Sequence, residues 1–174
     1  VTINGGAGND DITINALPTA LGNVVNGDAD DDTIRVGVLP LGFTANGGAG
    51  TDTLVGPNVV ATWNVTGGGA GNIVTGPTFA TMENLTGRDA VDTFNISGNH
   101  TGNIAGGGGN DVFNFSGAAV ITGTLDGQAG DDRLNYAGYA SGRTFSLTTL
   151  GATDGFNGTD GSITGGFSNI NAID

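Results

Sequence analysis

The chain has 174 residues, no cysteine and no lysine, and a formal net charge of −13 from 17 acids set against four arginines. That composition excludes disulfide staples and lysine-based Schiff-base or crosslink chemistry, and so much negative charge argues against nucleic-acid phosphate and anionic lipid as partners. No apolar run reaches the roughly 20 residues a bilayer span needs, no signal peptide opens the chain at Val1, and 35 glycines disfavour helix.

From Gly5 onward a nine-residue pattern, Gly-Gly-x-Gly-x-Asp-x-apolar-x, recurs along the chain. Intact copies run Gly5 to Thr13, Gly47 to Val55 and Gly106 to Asn114. Near copies start at Gly27 and Gly127, and degenerate ones at Gly67 (GGGAGNIVT) and Gly87 (GRDAVDTFN). The first glycines stand at 5, 27, 47, 67, 87, 106 and 127, in steps of 22, 20, 20, 20, 19 and 21. A nearly constant step of this size is the signature of stacked coils.

The residues beside each copy predict the strands. Two positions before the first glycine stand Ile3, Val25, Ala45, Val65, Leu85, Ile104 and Leu125. Seven positions after it stand Ile12, Ile34, Leu54, Val74, Phe94, Phe113 and Leu134. A third column two residues further on runs Ile14, Val36, Gly56, Gly76, Ile96, Phe115 and Tyr136, so alternate side chains point inward, as in strands. Each coil is then two short strands joined by two turns, and its apolar face is buried only against neighbouring coils. The expected fold is all-β: a right-handed parallel β-roll or β-solenoid of about seven to eight coils, with about 20 residues per coil.

After Tyr136 the rhythm breaks, and residues 137–166 read as an excursion: a strand over Arg143 to Leu150, a long turn over Gly151 to Gly161, and a return in Ser162 to Asp174. Phe167, Ile170 and Ile173 repeat the spacing of Phe79, Met82 and Leu85, which places the return in phase. Residues 1–174 are thus expected to form one solenoid segment without an internal linker. The pattern is already under way at Val1 and stops at Asp174 just before a loop position, with no capping helix or polar end coil. Bare strand edges at both ends predict a longer tandem array or head-to-tail self-association.

Thirteen of the 17 acids lie in or beside the loops. The sixth loop position carries Asp10, Asp32, Asp52, Asn72, Asp92, Asp111 and Asp132, so stacking brings carboxylates to within about 4.8 Å of one another. Each adjacent pair repels by roughly 1 kcal/mol in water and by several times more in a protein-like dielectric, enough in sum to oppose folding. A divalent cation between coils reverses the sign. The glycines at positions two and four (Gly6, Gly8, Gly48, Gly50, Gly107, Gly109 and Gly130, with Asp30 as an acidic substitute) allow a tight turn with carbonyls aimed inward. Oxygen-only ligands with paired carboxylates suit calcium far better than zinc.

On these residues the loops resemble the calcium-binding nonapeptides of RTX proteins, secreted bacterial β-rolls; the resemblance covers Gly5 to Asn135 and rests on three intact copies. It implies calcium between successive turns, held by the Asp of each and by loop carbonyls, with Asp10 and Asp32, Asp32 and Asp52, Asp92 and Asp111, and Asp111 and Asp132 as the four best pairs. About four to six ions are expected in all. Asn72 should weaken the gaps it would share with Asp52 and Asp92, and Ala90 should perturb the fifth loop. The opposite turns (16–23, 38–43, 96–103) lack acids, so calcium is expected along one edge only.

This one-sided pattern is similar to repeats of giant bacterial surface adhesins, and the segment from Ser162 to Asp174 to β-strand-repeat proteins. The likeness implies an extracellular or cell-surface life and a non-catalytic structural role in an adhesin, surface layer or filament. The alternative is the C-terminal secretion module of a larger exported enzyme, a protease or lipase. A catalytic motif upstream would mark the module, and further tandem blocks the fibre.

Other residues read more plainly. His100 stands among Gly98, Asn99 and Thr101 with no Ser, Cys or carboxylate in motif spacing and is expected to be solvated. Arg35 and Arg133 flank Asp-rich loops, as in calcium-dependent polysaccharide lyases, but no cleft is expected there. Phe43, Trp63 and Phe79 read as core.

Overall fold

The computed structural model describes residues 1–18, 22–39 and 42–174, so parts of the turns at 16–23 and 38–43 lie outside the described residues. The first three loops are framed by β1 (Thr2–Ala7) and β2 (Asp11–Ile14), β3 (Val24–Ala29) and β4 (Thr33–Val36), and β5 (Thr44–Ala49) and β6 (Thr53–Val55). There follow β7 (Ala61–Gly67), β8 (Ala70–Ile73), β9 (Thr78–Ala80) and β10 (Asn84–Thr86). The later loops lie among β10, β11 (Asp92–Ile96), β12 (Ile104–Gly108), β13 (Val112–Gly117), β14 (Leu125–Ala129) and β15 (Arg133–Tyr139). The chain closes with β16 (Ser146–Leu150), β17 (Phe156–Asp160), β18 (Ile163–Ile170) and β19 (Ala172–Ile173), and the described residues contain no helix.

The strands form two sheets, ordered β1-β3-β5-β9-β8-β7-β11-β13-β15-β19 and β16-β17-β18-β14-β12-β10-β6-β4-β2. Pairing is parallel except around β8 and β17. This is the expected all-β solenoid, and the register follows the sequence step: Ile12 lies beside Ile34 and Ile34 beside Leu54, while Phe94 lies beside Phe113 and Phe113 beside Leu134. Alternation buries one side of most strands, for instance Ile34 and Val36 in β4 and Leu125 in β14.

The fourth copy departs from the expectation. GGGAGNIVT is not a loop of the stack but the turn of an antiparallel hairpin, in which Asn64 of β7 pairs with Asn72 of β8. Gly68 and Gly69, at φ +60° and +69°, take the two left-handed positions that a two-residue hairpin turn requires. Ile73 is therefore buried, whereas Val74, assigned by spacing to the apolar column, is 44% exposed. The hairpin lengthens the middle coil: Thr44 pairs with Thr78, Thr53 with Asn84 and Thr62 with Thr93, offsets of 34, 31 and 31 residues, whereas the other parallel pairs up to β15 are offset by 19 to 22.

A second correction follows from the first. Loops starting at Gly5, Gly27 and Gly47 leave the sheet containing β1, whereas those starting at Gly87, Gly106 and Gly127 leave the sheet containing β2. Apart from the antiparallel insertions, the strands of each sheet run one way, so the two sets of loops lie on opposite edges. The single line of loops is replaced by two lines of three. The exchange happens at the short turn Thr81–Glu83, which joins β9 to β10 without a nonapeptide.

Between the sheets, Trp63, Phe94 and Phe113 stack at centroid spacings of 5.1 and 5.2 Å, and Phe43 and Phe79 join the core as expected. His100 is a correction: it is fully buried, its Nε2 lies 2.9 Å from the Glu83 carbonyl, and burial pushes its pKa down, favouring the neutral ring. Beyond β15 the excursion returns as expected, β18 pairing with β14 through Leu125 and Phe167. The long turn is shorter than expected, because Phe156–Asp160 forms β17 between β16 and β18. Phe145 packs on Tyr136, and Arg143 bridges the buried carboxylate of Asp160 while lying over the Tyr139 ring, so the excursion covers the last full coil.

Candidate calcium loops

Every loop but the one from Gly87 turns back on two left-handed residues near the end of the strand that leads into it. Positions two and four are Gly6 and Gly8, Gly48 and Gly50, and Gly107 and Gly109, with φ between +98° and +147°. The near copies keep this geometry without the letters: Asp28 and Asp30 lie at +82° and +74°, and Gln128 and Gly130 at +72° and +130°. Only the loop from Gly87 lacks it, since Arg88 and Ala90 are not left-handed. Close approach also fixes the first position. A β-carbon on Gly5 would lie 2.6 Å from Asp10 Oδ2 and 2.7 Å from the Gly27 carbonyl oxygen, and at Gly27, Gly47, Gly87, Gly106 and Gly127 it would meet the same pair of groups: the loop's own Asp and a carbonyl of the next coil. Side chains at Gly48 and Gly50 would strike the carbonyls of Asp28 and Asp30, so main-chain oxygens stack from coil to coil.

The four pairs of aspartates come together as expected. The main-chain N–H of Asp10 donates to Asp32 Oδ1 at 2.8 Å, and that of Asp32 to Asp52 Oδ1 at 2.8 Å. On the other edge Asp92 donates to Asp111 Oδ1 at 2.7 Å and Asp111 to Asp132 Oδ1 at 2.8 Å. One oxygen of each acceptor carboxylate is thus held by the preceding coil. The second oxygen of Asp10, Asp32, Asp52, Asp111 and Asp132 is buried and has no hydrogen-bond partner among the described residues. An ionised oxygen left in that state costs several kcal/mol, which gives these sites the chemistry of a cation cradle. Burial, ahead of neighbouring charges, pushes the pKa of Asp132 up to about 6 and of Asp111 up to about 7, and also raises that of Asp52. Asp92 differs: its Oδ1 accepts from Trp63 Nε1 and its Oδ2 from the Arg88 N–H, both at 3.3 Å.

The expected Asn72 gaps do not form, because Asn72 lies in β8, beside Asn64 and Thr78. Spacing alone gave no sign of the ends of the two runs. Asp52 N–H donates to Glu83 Oε2 at 2.9 Å, and Asp132 N–H to Asn171 Oδ1 at 3.0 Å. Both acceptors sit in the same turn, seen in sequence only as a shared spacing: FATMENL (79–85) over Gly47, and FSNINAI (167–173) over Gly127, with Thr81 and Asn169 at φ +51° and +52°. An asparagine ladder was also missed. Asn46 bonds Asn26 and Asn26 bonds Asn4, and the chain Asn135, Asn114, Asn95, Asn64 continues it in the same sheet.

Among the described residues no three His, Cys, Asp or Glu side chains converge on one point. An ion in a gap would therefore draw on two carboxylates and complete its shell from loop carbonyls and water, a ligand set that fits calcium. Asp10, Asp32, Asp52, Asp111 and Asp132 are the residues that would hold it. Comparison with protein-family models, with curated proteins and with solved structures yields no match to this chain.

Proposed function

We propose that this chain is a non-catalytic structural segment of a secreted, calcium-dependent bacterial surface protein, such as an adhesin, surface layer or extracellular filament. Calcium between coils turns a self-repelling stack into a rigid rod. One observation carries the reading: five stacked loop carboxylates each hold a buried oxygen that nothing among the described residues satisfies. Two lines of ions on opposite edges would brace both turns of the solenoid, the first tying the N-terminal coils and the second the C-terminal ones. Affinity on the order of 0.1 to 1 mM, the extracellular range, would leave the chain unfolded in a low-calcium cytosol and fold it on export. Exposed strand edges at β1 and β2 support tandem or head-to-tail association.

Circular dichroism with calcium and with EGTA tests the core of this. Strand signal at neutral pH is expected only with the divalent ion, and a fully folded spectrum in EGTA at low salt overturns the reading.

A further inference from the structure

The two runs of loops end in the same turn but differ in charge. Over the first run, Glu83 supplies a carboxylate to the main chain of Asp52. Over the second, the equivalent residue is the neutral Asn171. The missing acid comes from elsewhere. Asp154, in the excursion and outside every repeat, accepts the Gly130 N–H on Oδ2 at 2.9 Å, just as Asp30 accepts the Gly8 N–H at 2.9 Å in the first run. Its turn is fixed over the last loop by Asn169, whose Oδ1 accepts the Thr153 N–H and whose Nδ2 donates to Asp126.

Two oxygens at this end are left over. Asp132 is fully buried and its Oδ2 has no partner among the described residues, and Asp154 Oδ1 is likewise buried and without one. Neighbouring arginines do not compensate them, since Arg133 is bonded to Asp174 and Arg143 to Asp160. We propose that Asp132 and Asp154 form a further divalent-cation site between the last loop and the excursion, so that the ion locks the non-repetitive segment onto the end of the second run. This rests on the reading that the loops bind calcium. It gives the excursion a role: it completes a site that Asn171 leaves one carboxylate short.

The test is a calcium count by native mass spectrometry on the whole chain, with hydrogen exchange at residues 151–155 as a second readout. Asp154→Asn should bind one ion fewer than the unsubstituted chain, keep the others at unchanged affinity, and lose calcium-dependent protection at 151–155. Adding Asn171→Asp to that variant should restore the ion by returning a carboxylate to the ladder position. If the unsubstituted chain binds calcium and Asp154→Asn binds the same number equally well, the end site is wrong while the loop reading stands. If the unsubstituted chain binds none, both fall.

Discussion

Asp111 and Asp92 occupy the same loop position one coil apart, yet their surroundings give them different weights. Asp111 sits between two coils, with one oxygen on the Asp92 N–H and the other buried without a partner. Both oxygens of Asp92 are already held, by Trp63 and by the Arg88 main chain. Asp111→Asn should therefore weaken calcium binding in the second run by about tenfold or more, while removing a buried like charge and so stabilising the metal-free chain. Asp92→Asn should cost clearly less affinity. Isothermal titration of both variants checks the order, and equal losses would count against the assignment. The loop backbone shows why residue identity was only a partial guide: Asp28, Asp30 and Gln128 hold left-handed angles that cost an L-residue about 1 kcal/mol, so the stack imposes the turn even where glycine has drifted away. At Ala90 the drift goes further and the left-handed turn is lost.

Among the elements, the strands flanking true loops were legible because their apolar residues alternate and recur in step, as Ile12, Ile34 and Leu54 do. The hairpin of β7 and β8 was not. Its four glycines and its place in a 20-residue rhythm imitate a loop, while the decisive difference, Asn72 where the others have Asp, looks like mere degeneration. Two glycines with positive φ serve a hairpin as well as a calcium loop, and only pairing tells them apart. The same hidden insertion moved the later loops to the opposite edge, an outcome no column of residues could signal. A substitution separates the two readings. If GGGAGNIVT were a calcium loop, Asn72→Asp would strengthen two gaps; placed in β8 beside Asn64 and Thr78, it should add no ion, and because its Oδ1 still accepts from Asn64 Nδ2 it should change stability by less than about 1 kcal/mol. Calcium stoichiometry and thermal melting of this variant decide between them.

For the whole molecule, the stacked carboxylates make stability depend on pH in a direction that the cation should reverse. Burial places Asp92 and Asp132 at about 6 and Asp111 at about 7, all above the ordinary value of 3.8. A carboxyl whose folded pKa is raised binds its proton more tightly folded than unfolded. Its contribution is therefore fully present below about pH 4 and is lost as pH climbs through 6 to 7. Arg143 and Asp160 work the other way, since hydrogen bonds from Arg143 and Ser162 outweigh burial and hold Asp160 below its usual range, a contribution lost only in strong acid. Between pH 5 and pH 8 the raised groups dominate, so in EGTA the chain should hold strand structure at pH 5 that it loses by pH 8. In the proposed calcium sites the ion would bind the deprotonated carboxylates, so saturating calcium should remove that loss and make pH 8 the more stable condition. Circular dichroism at both pH values, with calcium and with EGTA, measures this crossing directly. A metal-free chain that grows steadily more stable from pH 5 to pH 8 would mean that the buried aspartates are ionised at no cost, and the electrostatic need for an ion between the coils would be gone.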